Sequence, residues 1–437
     1  MASIRPFRGI RYDQAQVPDL SQVVTQPYDR ITDELQRRYH EQHANSFVRL
    51  VKNQVTGHDT AADNVYVRAN SLYRSWLDEG VLVQDESPAL YVYRQTFSYP
   101  AGRELTRKAF VAALELAPFE TGVVLPHEHT LNGPKADRLR LLRATAVNLE
   151  PVFLLYPDPQ NQINTILDAA IAGQSPTAEM RDLHEHEVRQ RLWIVTDASV
   201  IGEVTSQIAL ARRLIIADGH HRYEARLTYR EEMRAAHPDL PSDAPHNFTI
   251  AALASLDDPS LTILPTHRLV HSYPAMTTAH LVGAAAEHFE IGSMPSRAAL
   301  TVALRATGRR RHAIGLATSD QQFLWTLKDV RAVDEMAPDH VPAWRDLDVS
   351  ILQELVFKRL MGLTQDSINR QENLRYLRDP MPGYRALDNG DAQFLFLLNP
   401  TRIAQVRACA EAGEMMPQKS TDFYPKMISG LVAMAVR

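Results

Sequence analysis

Leu214-Ile215-Ile216-Ala217-Asp218-Gly219-His220-His221-Arg222-Tyr223-Glu224-Ala225-Arg226 is the stretch from which the rest of this chain can be read. Its apolar start predicts a short buried strand, Gly219 a sharp turn, and the residues through Tyr229, Glu232 and Met233 a polar helix. Gly219 also lets the backbone approach a ligand with no Cβ in the way. The first helical turn then carries two imidazoles and a guanidinium, where free N–H groups and the positive end of the helix dipole gather. Phosphate suits such a place. Arg222 can grip two oxygens at once, and His220 and His221 can donate hydrogen bonds or pass protons. The plain alternative is a surface helix capped by Asp218 with solvated histidines. Four polar groups packed into five residues behind an apolar strand favour a site over a cap.

The chain around this stretch is long, at 437 residues, enough for two or three domains. Hydrophobic residues at 45% and charged ones at 23% are ordinary for a globular protein. Lys plus Arg 47 against Asp plus Glu 52 leaves a net charge of −5, so no basic surplus points to nucleic acid. The single cysteine, Cys409, cannot form an internal disulfide and fits a reducing compartment. Met1 to Arg11 has no apolar signal-peptide core, and no apolar run reaches membrane-spanning length, so a cytoplasmic protein is expected.

Upstream, strands are expected over Ile4 to Tyr12, Val23-Val24-Thr25 and Phe47 to Val51. A helix capped by Asp59 or Thr60 should carry Val65, Ala69, Leu72, Tyr73 and Trp76 on one face and end before Gly80. Leu90 to Phe97 and Lys108 to Leu116 read as a pair of strands joined across Pro100-Ala101-Gly102. Val123-Val124-Leu125-Pro126-His127-Glu128-His129-Thr130 then delivers a carboxylate between two histidines just beyond a proline. Lys135, Asp137, Arg138 and Arg140 open a helix, and Pro151 to Tyr156 and Leu192 to Val195 are strands. The run His184-Glu185-His186-Glu187 lacks helical metal-ligand spacing and reads as a solvated charged segment. Downstream, Phe248 to Leu256 is a core strand, and Leu261 to Arg268 repeats an apolar run, a proline and a polar cluster. Helices over 276–288, 297–306, 349–360 and 402–412 and strands near 312–317, 322–327 and 393–398 lead to Met416–Lys426.

Three polar clusters therefore sit at the ends of apolar runs: Glu128 with His127 and His129, Asp218 to Arg222, and Thr266 to Arg268. A fourth, Lys419-Ser420-Thr421 with Lys426, offers two cations and two hydroxyls but lacks the glycines of a phosphate loop. Zinc is the rival for so many histidines, and His127, His129, His220 and His221 could supply ligands. Asp218 and Arg222 suit phosphate and magnesium better.

The Asp-Gly-His-His-Arg run, with its upstream Pro-His-Glu, is similar to the pattern of archaeal and bacterial free serine kinases, of the ParB/sulfiredoxin-like superfamily. Nearly the whole chain also resembles a bacterial and archaeal domain-of-unknown-function family related to them. That resemblance lies in Ile4-Arg5-Pro6-Phe7, Pro27-Tyr28-Asp29, Leu125 to Glu128, Asp137-Arg138, Ala217 to Arg222, Pro265 to Arg268 and Met416 to Lys426. It implies an α/β (α+β) fold with a central ParB/sulfiredoxin-like phosphate-binding catalytic domain over 116–275, flanked by α+β segments over 1–115 and 276–437. It implies an ATP- or ADP-dependent, Mg²⁺-assisted kinase acting on a small hydroxylated metabolite, with free L-serine the first candidate. Glu128, beside His127, matches the base that activates the hydroxyl. Gly219, His220, His221 and Arg222 would hold the transferring phosphates, and Asp218 would hold Mg²⁺ or orient a histidine. Arg138, Arg268, Lys419 and Lys426, with the hydroxyls of Ser420 and Thr421, are further candidates for phosphate or a substrate carboxylate. The expected partners are nucleotide and metabolite, not nucleic acid or membrane, and a homodimer is compatible with this. Two other classes stay open: a nucleotide-binding regulatory module without turnover, and a metal-dependent hydrolase.

Overall fold

A computed structural model describes residues 1–98, 102–129, 132–184, 188–274 and 276–437. Pro100 and Ala101 of the expected turn, Thr130, and Glu185 to Glu187 of the charged run lie outside the described residues. The fold is mixed α/β, in two compact units. The first comprises 1–125, 130–262 and 425–437, and the second 126–129 and 263–424.

The first unit is built on a nine-stranded sheet. Its order is Val124–Leu125, Leu214–Asp218, Val152–Tyr156, Phe248–Ser255, Glu104–Glu115, Leu90–Ser98, Arg189–Val195, Ala178–Arg181, with Ile4–Arg5 also pairing to Glu104–Glu115. Side chains alternate across a strand, so every second residue shares a face. Val92, Phe110, Leu154, Leu214, Ile216 and Leu253 meet one core with Ile163, Leu167, Val204 and Ile208 from the helices Gln162–Ile171 and Ala198–Leu210. Burying one such side chain is worth about 1.5–3 kcal/mol, so this face sets the register of the whole sheet. Gln95, Arg107 and Phe153 alternate onto the other face, and there the site is assembled.

In the second unit, a six-stranded antiparallel sheet runs Phe289–Ser293, Gln322–Leu327, Ala313–Ala317, Phe394–Leu398, His267–Val270, Leu374–Leu377. Leu395 and Leu397 pack with Leu300 and Leu304 of the helix Arg297–Thr307 and Tyr384 and Leu387 of the helix Pro380–Asp388. Phe396, one step out of phase, meets Phe357 and Trp325 instead.

Several expected elements differ. Phe47 to Val51 is not a strand: Val48–Val51 is one helical turn, packed on the helices Asp33–Gln42 and Val65–Asp78. A five-residue apolar run carries no period long enough to separate the two states, and its neighbours decided. Val23 and Val24 are not paired in a sheet; only Thr25 makes a bridge, to Ser429. The helix expected from Asp59 or Thr60 starts at Val65 because Asn64 caps it, accepting from the amides of Tyr66 and Val67. Asp59 accepts from Thr56 instead.

Candidate functional site

The first unit brings the expected phosphate box together. Strand Leu214–Asp218 leads through Gly219, at φ 95° in the left-handed region, into the 17-residue helix His220–Ala236. Gly219, at the N-cap, has no side chain with which to cap this helix start, and a helix N-terminus carries the positive dipole end that an anion site uses. A Cβ on Gly219 would lie 3.0 Å from Arg222 Nε, a second reason for glycine there. The strand register slips between Ile216 and Asp218, a bulge that re-aims the carboxylate at its end.

Asp218 sits between two cations, with Lys426 Nζ at 3.6 Å and Arg222 Nη2 at 3.1 Å. Burial pushes its pKa up, but Lys426, Arg222, Arg30 and His220 outweigh it and hold the carboxyl well below the usual range. Asp218 is therefore an anion at all ordinary pH values. His220 and Arg222 are buried, and His221 and Lys426 are partly so.

Lys426 arrives by a route not visible in the chain order. Arg107, only 1% exposed, donates from Nη2 to the Pro425 carbonyl at 2.5 Å and to the side chain of Gln95, its direct cross-strand neighbour. Gln95 in turn donates to the Lys426 carbonyl at 2.8 Å. The guanidinium lies over the Phe153 ring at 4.7 Å, and burial lowers its pKa to about 10. The pair thus stitches the returning C-terminal segment to the sheet and presents Lys426 to Asp218. Sequence reasoning missed both residues. A lone Arg in an alternating strand reads as solvent-facing, and no local signal marks a partner more than 300 positions away.

Arg222, expected to clamp phosphate with two donors, has both terminal nitrogens on protein: Nη1 on the Pro151 carbonyl and Nη2 on Asp218. Its Nε has no hydrogen-bond partner among the described residues. Desolvation lowers its pKa, but Glu150 and Asp218 outweigh that and raise it. Arg138 lies beyond Glu150, 3.7 Å from it, stacked 3.9 Å over the Tyr28 ring and bonded to Asp137 and the Val51 carbonyl. Glu150, also absent from the expected set, accepts from the Tyr28 amide at 3.1 Å and the Ser429 hydroxyl at 2.6 Å.

The second unit gathers the other expected residues. Pro126–His129 runs beside Met416, with Glu128 and Met416 bridged in parallel and the Met416 amide donating to the His127 carbonyl at 2.8 Å. Half-buried Glu128 accepts from the Lys419 amide at 3.1 Å, where Lys419 holds φ 56°. His127 Nε2 lies 2.8 Å from the Thr421 hydroxyl. Arg268 donates to the carbonyls of Thr266, Gln418 and Lys419 and lies 5.0 Å from the Tyr376 ring centroid. Ser420 donates to the Pro417 carbonyl, so its hydroxyl serves the turn. His129 and Lys419 are exposed. Among the described residues no three His, Cys, Asp or Glu side chains gather as a metal-binding group.

A family model described as protein of unknown function (DUF1015) matches residues 4–350. The chain belongs to this DUF1015 family. No curated protein matches it. Among solved structures, a conserved hypothetical protein from Pyrococcus furiosus aligns with TM-score 0.34 and 12% identity over 72% of this chain and 93% of that one. A free serine kinase in complex with AMP aligns with TM-score 0.35 and 12% identity over 72% of this chain and 89% of the kinase. SbnI with a C-terminal truncation, from Staphylococcus aureus, gives 0.34 and 9% over 73% and 85%. Among the described residues no helix of this DUF1015 protein is long and apolar enough to cross a membrane.

Proposed function

We propose that this chain is a nucleotide-dependent phosphotransferase that phosphorylates the hydroxyl of a small metabolite, with free L-serine the first candidate. One observation carries it: a helix start entered through left-handed Gly219 lies beside an ionised Asp218 flanked by Lys426 and Arg222. Phosphoryl transfer asks a protein for charge neutralisation and positioning more than for covalent chemistry. In this reading the amides of the first helical turn and the imidazoles of His220 and His221 receive phosphate oxygens, and Lys426 supplies positive charge. Arg222 acts mainly by locking Asp218 and the helix start in place. A Mg²⁺ brought in with nucleotide would be held by Asp218 through the oxygen that faces Lys426 at 3.6 Å, the looser of its two ion pairs. Such an ion neutralises phosphate charge. Glu128 takes the hydroxyl proton, exposed Lys419 is assigned to a substrate carboxylate, and Arg268 braces the turn that carries Lys419.

The test is incubation with ATP or ADP, Mg²⁺ and a panel of hydroxy metabolites, read by phosphorus NMR. A phosphorylated product is expected. Nucleotide binding without product across the panel would move the chain to the regulatory class, and absence of nucleotide binding would end the reading.

A further inference from the structure

In the first unit a cavity of about 680 Å³ lies among Tyr28, Val51, Asn53, Gln54, Tyr66 and Arg138. That volume is within the roughly 300–1,000 Å³ of small-molecule sites. The charges on its wall already serve the fold. Arg138 and Tyr66 both bond Asp137, Lys52 donates to the Ile31 carbonyl, and Asp33 stands in the first turn of the helix Asp33–Gln42, where its charge meets the dipole. The wall carries Lys52 and Arg138 against Asp33 and Asp137, so it has no net charge to draw an ionic ligand. What remains on offer is two phenol rings, aliphatic surface from Val51, Val65 and Leu141, and the side-chain amides of Asn53 and Gln54. Flat apolar walls with neutral donors and acceptors at one edge suit an uncharged heterocycle carrying hydroxyls.

The position of the cavity adds a second argument. Arg138 is shared between this cavity and a narrow cleft lined by Glu150 and Arg222. The Tyr28 ring on the cavity wall feels the charges of Arg138, Asp29, Arg222 and Glu150. The neutral cavity therefore adjoins, through Arg138, the cleft that Arg222 of the cationic helix start lines within the same unit. We infer that the cavity takes the base and ribose of a nucleotide, an inference that rests on the phosphate reading of the Gly219 turn.

Calorimetry with the four ribonucleosides, their triphosphates and tripolyphosphate, each with Mg²⁺, separates the two. Two cavity-filling variants are compared with the native chain: Val65→Trp at the wall and Gln54→Trp at an exposed position on the rim, which leaves the core untouched. The expected result is that at least one triphosphate binds tenfold or more tighter than tripolyphosphate, and that both folded variants erase this difference while tripolyphosphate binding stays the same. Equal binding of triphosphates and tripolyphosphate, or a preference that survives Gln54→Trp, overturns the cavity inference and leaves the phosphate site standing. Nucleoside binding that the variants abolish, with no binding of tripolyphosphate, upholds the cavity and overturns the phosphate reading. No binding of any probe overturns both.

Discussion

Replacing Glu128 by Gln removes a base but leaves an oxygen that can accept the Lys419 amide at the distance now seen, 3.1 Å. The local turn should therefore persist. Loss of a general base costs about 10²–10⁴ in rate. Glu128→Gln is expected to bind nucleotide like the native protein while turnover falls by that factor, measured by single-turnover phosphate transfer. Turnover within a few-fold of native would make Glu128 a purely structural acceptor. Arg107 calls for a different test, because it bonds the segment that presents Lys426 to Asp218. Arg107→Gln removes the bonds to Gln95 and Pro425 and frees the segment that presents Lys426. Nucleotide affinity should drop about tenfold in Arg107→Gln and in Lys426→Met, and the double variant should lose little more than either. Fully additive losses would show that Arg107 does not act through Lys426.

Elements answer to packing. The amide of Gly9 donates to the Tyr91 hydroxyl at 2.6 Å, and a Cβ there would stand 2.3 Å from that oxygen and 2.6 Å from Val432 Cγ2. Gly9→Ala must therefore part the N-terminal strand Ile10–Tyr12 from both neighbours. Overpacking of this kind costs about 1–3 kcal/mol, so the urea midpoint should fall clearly, and an unchanged midpoint would refute the close approach. Elements with a full period or a cap were legible beforehand: Leu90–Ser98, Gln322–Leu327 and Val65–Asp78 lie close to where alternation or the 3.6-residue stripe put them. Short ones were not. Asp33–Gln42 was overlooked although Thr32 is its cap, because its face is mostly polar and only Tyr39 is buried.

At the scale of the molecule, two histidines of the second unit give stability opposite slopes with pH. Burial and Arg268 lower the pKa of His267 to about 4, and its Nδ1 accepts the Leu398 amide, so the folded state wants it neutral. Between pH 6.5 and about 4 the unfolded chain binds the proton more readily. This contribution is thus complete above pH 6.5 and lost as pH falls through that window. His312 places both ring nitrogens on carboxylates, Asp348 at 2.9 Å and Asp346 at 3.1 Å, which only the imidazolium satisfies. Its pKa is raised, with the Asp348 bond the largest cause, so its contribution is complete below pH 6.5 and lost as pH rises through the raised value. Urea midpoints across pH should show His267→Asn flattening the acid limb and His312→Asn the neutral-to-alkaline limb. Unaltered slopes in either variant would refute the corresponding assignment.

The same scale separates what the chain order determined from what it left open. The turn at Asp218-Gly219-His220 was readable because all its determinants are local: an apolar strand, a residue tolerant of positive φ, and a helix start. Thr266 to Arg268 and Pro126 to Glu128 stood out likewise, each as a proline between an apolar run and a polar cluster. The expected boundaries, by contrast, were drawn in sequence order, whereas the contacts assign 126–129 to the unit of 263–424 and return 425–437 to the first. Only tertiary structure decided that Arg222 spends its terminal donors on Pro151 and Asp218, and that Arg107 and Gln95 hold Lys426. Those bonds join residues up to 331 positions apart. A guanidinium carries the same donors whether it meets a ligand or a carbonyl, and burial by distant segments makes that choice.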